Sequence, residues 1–182
     1  MYIVSIQNLA ETQREQAAQL LHDAFPHAWE SIGDAQQEIN EIMQPCDDGE
    51  PEILVATHGD EVIGWAGVLP TYDGNVWELH PLVVRKDWRG KGVGRALVQT
   101  IEQVARTRGG LTLWCGSDDE KNETCLANAN LYNNLPQHLQ CFNPGRHPTA
   151  FYQKLGFAIV GVMPDANGFG KPDIFMAKSL RN

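Results

Sequence analysis

Between Val83 and Gly94 the chain passes from an apolar run, through a basic and glycine-rich loop, straight into an amphipathic helix pattern. No other stretch limits the architecture as much. Glycines at 90, 92 and 94 let the backbone approach a ligand closely and turn successive N–H groups one way. A helix start at the same point adds about half a positive charge. Arg89, Lys91 and Arg95 add full charges in a chain whose formal net charge is −9. A pyrophosphate is the natural occupant, held by Arg89, Gly90, Lys91, Gly92, Val93, Gly94 and Arg95. Two familiar phosphate loops are excluded. The P-loop spacing with its Lys and Ser/Thr is absent. A dinucleotide fingerprint belongs after a first strand, whereas this loop follows several.

The surrounding pattern predicts a mixed α+β fold. Residues 2–6 read as a strand, and Thr12 with Glu15 as a capping box opening a helix. Ala17, Leu20, Leu21, Ala24 and Phe25 form that helix's apolar face. A weaker helix is expected from Asp34 to Met43. Strands follow at 52–58, 61–69 and 76–84, the first two joined by a tight turn at Gly59. A long helix from Gly92 to Arg108 buries Val93, Leu97, Ile101, Val104 and Ala105. A strand at 111–115 completes a βαβ unit with a parallel pairing. The polar excursion from 116 to 147 carries one expected short helix, from Leu126 to Asn133. A final helix from Thr149 to Leu155 begins behind Pro148, and strands at 157–163 and 173–178 finish the chain.

With 182 residues and 42% hydrophobic content, residues 1–182 are expected to form a single domain. No apolar run is long enough to span a bilayer and no secretory signal opens the chain, so a cytoplasmic location and no membrane partner are expected. The acidic balance repels nucleic acid and suits a polycationic small molecule. The four cysteines form no CxxC pair, so neither a disulfide framework nor a metal site is expected.

Arg89, Gly92 and Gly94 match the (Gln/Arg)-x-x-Gly-x-(Gly/Ala) signature, and Phe151 to Phe157 resembles the second common segment, of the GNAT acetyltransferases. Trp77 to Val84, Arg108 to Gly110, Ser117 to Asp119, His147 with Pro148, and the ending from Val160 to Gly168 and Lys171 to Lys178 are similar to a chromosomal branch of aminoglycoside 6′-N-acetyltransferases. Gly145 and Pro148 depart from the Asn and Ala that many GNATs carry there, and the aminoglycoside branch departs similarly.

The resemblance implies a GNAT fold: a mostly antiparallel sheet of about six or seven strands, flanked by helices, with the βαβ unit holding the cofactor. It implies acetyl-CoA as cosubstrate and is compatible with a homodimer. Acetyl transfer needs a neutral amine, and an aliphatic amine with a pKa of ~10 arrives protonated. Glu78 and His80, two apart on one strand, are the candidates to take that proton, directly or through water, or to hold the ammonium. In GNATs the corresponding strand is bulged or bent and splays from the next. That assigns the backbone of Leu82, Val83 and Val84 to the cofactor, with the Leu82 amide polarising the thioester carbonyl. Tyr152 matches the family position beside the cofactor sulfur and is the candidate proton donor. Trp29, Glu78, His80, Asp118 and Asp119 are the candidate substrate contacts. The expected activity is acetylation of an aminoglycoside 6′-amine. Acetylation of a polyamine or a protein lysine keeps the same cofactor loop, and a non-catalytic acyl-CoA sensor is the reading from another class.

Overall fold

The computed structural model describes residues 1–181, arranged as two compact units: Met1–Leu113 with the chain end from Leu180, and Trp114–Ser179. The first unit contains β1 (Tyr2–Ser5), α1 (Glu11–Ala24), α2 (Ile32–Ile42), β2 (Glu52–His58), β3 (Glu61–Thr71), β4 (Val76–Val84) and α3 (Val93–Thr107). Its strands run antiparallel in the order β1-β2-β3-β4, with Val4 opposite Val55, Val55 opposite Trp65 and Trp65 opposite Val83.

Alternation along β3 sorts the helices. Trp65 donates its indole N–H to the Ala17 carbonyl of α1 at 3.0 Å, and a Cβ at Gly67 would meet Ile42 of α2. A Cβ at Gly64 would instead meet Val93 of α3, 3.1 Å away. Residues 64 and 65 point to opposite faces, so α1 and α2 cover one face of the sheet and α3 the other. Ala17, Leu21, Ile39, Ile42, Ile53, Val55 and Trp65 form the buried core on the α1/α2 side.

β5 (Thr112–Cys115) begins beside β4, since Leu111 and Thr112 both donate to the Asn75 carbonyl. The two strands therefore start side by side and run the same way there, as the βαβ reading requires.

The second unit contains α4 (Leu135–Gln140), α5 (Thr149–Lys154), β6 (Ala158–Met163) and β7 (Asp173–Ser179). β7 lies between β5 and β6 and is antiparallel to β6. Seven strands, mostly antiparallel and flanked by helices, give the expected fold class.

Two expected boundaries move and one expected helix does not form. α1 starts at Glu11, with the Ala10 N–H donating to Gln13 Oε1, because buried Leu9 holds the chain where a turn closes ahead of Thr12. α2 starts at Ile32 under a true capping box, in which Ser31 Oγ accepts from the Asp34 N–H and Asp34 accepts from the Ser31 N–H. The helix expected over 126–133 is absent. Asn128 and Asn134 adopt left-handed φ values of 58° and 57°, and the helix forms instead as α4, behind Asn134 with Pro136 in its first turn.

Candidate active site

β4 changes register on β3 at the centre of the first unit. Ala66 faces Leu82 and Val68 faces Leu79, so His80 and Pro81 together oppose Gly67. The His80–Pro81 peptide is cis. The bulge has a directional consequence. Before it, even-numbered residues of β4 face α1 and α2; after it, odd-numbered residues do, and Val83 joins that core. Leu79 and Leu82 consequently both lie on the α3 face, while Glu78 and His80 lie with α2.

His80 is half-exposed and its Nε2 stands 3.4 Å from Glu38 Oε1 of α2. The other oxygen of that carboxylate accepts the Trp29 indole N–H at 3.2 Å, and the Trp29 and His80 rings are 6.3 Å apart. Trp29 is itself placed by edge contact with Phe25 and by a 2.8 Å hydrogen bond between His22 Nδ1 and its own carbonyl. The structure thus joins two residues expected at the site, Trp29 and His80, through Glu38, which the sequence reading missed. Ala35, Ile39 and Ile42 are buried, and Glu38 borders their stripe. A lone carboxylate at the edge of an apolar helix face was the available signal.

At the end of β4 the chain makes a 3-10 turn over Lys86–Trp88 and enters α3. Gly92 is the N-cap residue at φ 88°, and no side chain caps the helix. Gly90 is also left-handed, at φ 75°, and a Cβ at either glycine would meet no atom within 4 Å. No side chain caps the first-turn N–H groups, and no acidic residue in the turn neutralises them. Arg85 is held by Asp87 at 2.8 Å and Glu61 at 3.2 Å, and those contacts push its guanidinium up and the Asp87 carboxyl down. Among the described residues, Arg89, Lys91 and Arg95 form no ion pair. Arg89 donates to the Val84 carbonyl at 3.0 Å, and Lys91 rests over the Trp88 ring. Open donors and unpaired cations around a bare backbone cradle fit a diphosphate group.

In the second unit Tyr152 is 9% exposed and meets Phe151 and Phe157 edge-on. Burial, followed by its contact with Cys115, raises its phenol far above the ordinary value, so the hydroxyl keeps its proton.

The two aspartates after β5 part company. Asp118 is exposed, with Oδ1 accepting from Asn167 Nδ2 at 2.5 Å. Asp119 is fully buried and accepts the N–H groups of Glu123 and Thr124 and the Thr124 hydroxyl, at 2.7–2.9 Å. Burial alone would raise its carboxyl, but those donors more than offset it and the net direction is down. Asp119 is therefore the anchor of the excursion. Its expected role as a substrate contact is corrected, because no carboxylate surface is left to touch a ligand. His147, buried beside it, donates from Nε2 to the Asp118 carbonyl at 3.0 Å and faces Thr149 Oγ1 with Nδ1.

Among the described residues no cluster of His, Cys, Asp and Glu could hold a metal ion, and no helix is long and apolar enough to cross a membrane.

The comparisons agree with the loop. Residues 14–135 match the model of the acetyltransferase (GNAT) family. A crystal structure of an aminoglycoside 6′-N-acetyltransferase complexed with coenzyme A is 36% identical, with TM-score 0.92, over 100% of this chain and 98% of that one. The aminoglycoside 6′-N-acetyltransferase from Enterococcus faecium is also 36% identical, at TM-score 0.91 and the same coverage. An aminoglycoside 6′-acetyltransferase of type Ii is 33% identical, at TM-score 0.77, over 100% of this chain and 99% of that one. No curated protein matches the chain. Family match, full-length likeness and an uncapped, cationic helix start lead to one conclusion: the chain belongs to the GNAT family of acetyltransferases, with acetyl-CoA as its cosubstrate.

Proposed function

We propose that this acetyltransferase N-acetylates the 6′-amino group of aminoglycosides, as a single catalytic domain acting in the cytoplasm. Full-length similarity to three aminoglycoside 6′-acetyltransferases supports the substrate, and the net charge of −9 supports a polycationic acceptor. When bound, acetyl-CoA supplies a thioester carbonyl carbon to which the amine nitrogen bonds as the carbon–sulfur bond breaks. Of the two protons lost by the original ammonium, one leaves with the thiol and one goes to solvent.

The chain's own groups divide that work. Arg89 to Arg95 hold the pyrophosphate with backbone N–H groups and unpaired cations. The backbone of Leu82, Val83 and Val84 serves the pantetheine arm, the Leu82 N–H polarising the carbonyl. Glu78 or His80 takes a proton from the ammonium. Tyr152 offers a protonated hydroxyl to the leaving sulfur. Its raised pKa makes it a weaker acid than an exposed phenol, so hydrogen bonding to the developing thiolate is the larger part of its role. Trp29 and Asp118 contact the acceptor.

The carrying observation is the uncapped start of α3, a cradle without a protein occupant. The test is free-thiol release from acetyl-CoA with purified protein and a panel of amines. Kanamycin and tobramycin should stimulate release. Stimulation by spermidine or histone peptides alone would move the substrate to polyamines or protein lysines. A rise in Tm with coenzyme A but no turnover on any amine would leave an acyl-CoA sensor.

A further inference from the structure

We propose that Glu38 is a positioning residue for His80, forming with Trp29 a Trp–Glu–His relay through which His80 takes the proton from the acceptor ammonium. The inference rests on the amine acetylation argued above and deepens it by giving one of the candidate bases, His80, a positioning partner.

The geometry on which it stands lies within the first unit. Glu38 has one oxygen on the Trp29 indole N–H, at 3.2 Å, and the other 3.4 Å from His80 Nε2. Its side chain is 24% exposed, against 46% for His80, so the carboxylate is the more shielded member of the pair. Neither oxygen is left to swing freely. The indole, fixed by Phe25 and through its carbonyl by His22, restrains the carboxylate. A ring proton placed on Nε2 points to that carboxylate and leaves Nδ1 with the lone pair. An amine N–H gives its proton to Nδ1, and the imidazolium that results faces a negative charge in a partly desolvated place. A carboxylate that orients a histidine and stabilises its charged form, without itself accepting the proton, is a recurrent arrangement in proton-transfer sites. Glu38 of α2 faces the imidazole, and Glu78 lies two residues before it on the same face of β4.

The bulge makes this contact available. It places His80 on the α2 face, and Gly67 opposite it, lacking a side chain, lets Ile42 of α2 come down onto the sheet there. Glu38 lies one helical turn before Ile42 and is delivered to the same spot.

A double-mutant cycle tests the relay, using the full chain and whichever amine the wild type turns over. Glu38→Gln keeps an acceptor for the Trp29 indole and removes the charge. We expect kcat to fall about 10- to 100-fold. KM for amine and for acetyl-CoA should stay within about twofold, and the coenzyme A-induced rise in Tm should be kept. His80→Gln should cost at least as much, and the double variant no more than His80→Gln alone, because both remove one unit. Trp29→Phe, which keeps the ring and loses the N–H, should lower kcat to a smaller extent and be non-additive with Glu38→Gln. If Glu38→Gln fails to fold, this second variant carries the test through its own non-additivity with His80→Gln. Wild-type turnover in Glu38→Gln, full additivity with His80→Gln, or an unaffected His80→Gln would each overturn the relay. Failure of the substrate reading is seen separately, in wild-type protein that turns over other amines but not kanamycin or tobramycin.

Discussion

Gly67 of β3 lies so close to the carbonyl oxygen of His80 across the sheet that a Cβ at position 67 would overlap it. Ile42 of α2 closes the other side, 3.2 Å from where that Cβ would stand. The obstacle is backbone at one side and a packed helix at the other, so neither yields cheaply. Gly67→Ala should destabilise the protein by about 2–3 kcal/mol, read as a lower urea midpoint at unchanged m-value. An unaltered midpoint would mean that the bulge is softer than its geometry.

Gly92→Ala addresses the cofactor loop. Open space around the site removes any steric cost, leaving only the left-handed φ of 88° and the crowding of the anion's approach. Strain should cost about 1–2 kcal/mol. KM for acetyl-CoA should rise about tenfold or more, equivalent to ~1.4 kcal/mol of lost binding, while KM for amine holds. A purely structural loop would lose Tm and leave both constants alone.

Tyr152→Phe removes a buried hydroxyl and keeps the ring between Phe151 and Phe157. Loss of the contact with Cys115 should cost about 1 kcal/mol of stability. The kcat should fall about 10- to 100-fold, across the range from about pH 6 to 9. Isothermal titration with coenzyme A should show unchanged affinity, and undiminished turnover would remove the residue from the chemistry.

Asp119→Ala strands three donors in the excursion: two backbone N–H groups and the Thr124 hydroxyl. The expected loss is about 3 kcal/mol. Because the folded carboxyl sits below its ordinary value of 3.8, its contribution is fully present above that value and disappears as pH falls through the folded one. Tm profiles carried into acid should therefore show the gap between wild type and Asp119→Asn closing at the low end.

Asp173 runs the other way. Burial, and then the charge of Asp118, raise its carboxyl, with the Ser117 and Ile174 N–H groups only partly offsetting them. The folded state binds this proton more tightly than the unfolded state, so stability declines as pH rises through the interval above 3.8. Asp173→Asn keeps a carbonyl acceptor for the Ser117 N–H, 2.8 Å away, and should raise Tm at neutral pH. The gain should vanish below about pH 4.

The strands at 52–58 and 61–71 were legible as short apolar runs buried on both faces, the strand at 76–84 as an alternating one, and the helix at 93–107 by its period of 3.6. The loop at 89–95 was equally legible, since charge, glycine spacing and helix start are all local properties. The excursion was not. Its order comes from the buried Asp119 carboxylate, from long-range bonds such as the Asn128 N–H to the Gly170 carbonyl, and from left-handed asparagines, so Leu126 to Asn133 forms turns and no helix.

What the sequence determined by itself is therefore the fold class and the uncapped, glycine-rich and cationic start of α3, whose physics lies in consecutive residues. Tertiary structure alone decided that Glu38 meets His80, that Asp119 faces inward and that a bulge reverses the faces of β4 between Leu79 and Leu82. Each of those depends on groups from separate elements meeting across the sheet or within a folded loop, and the register and packing that bring them together are not encoded in any one stretch of chain.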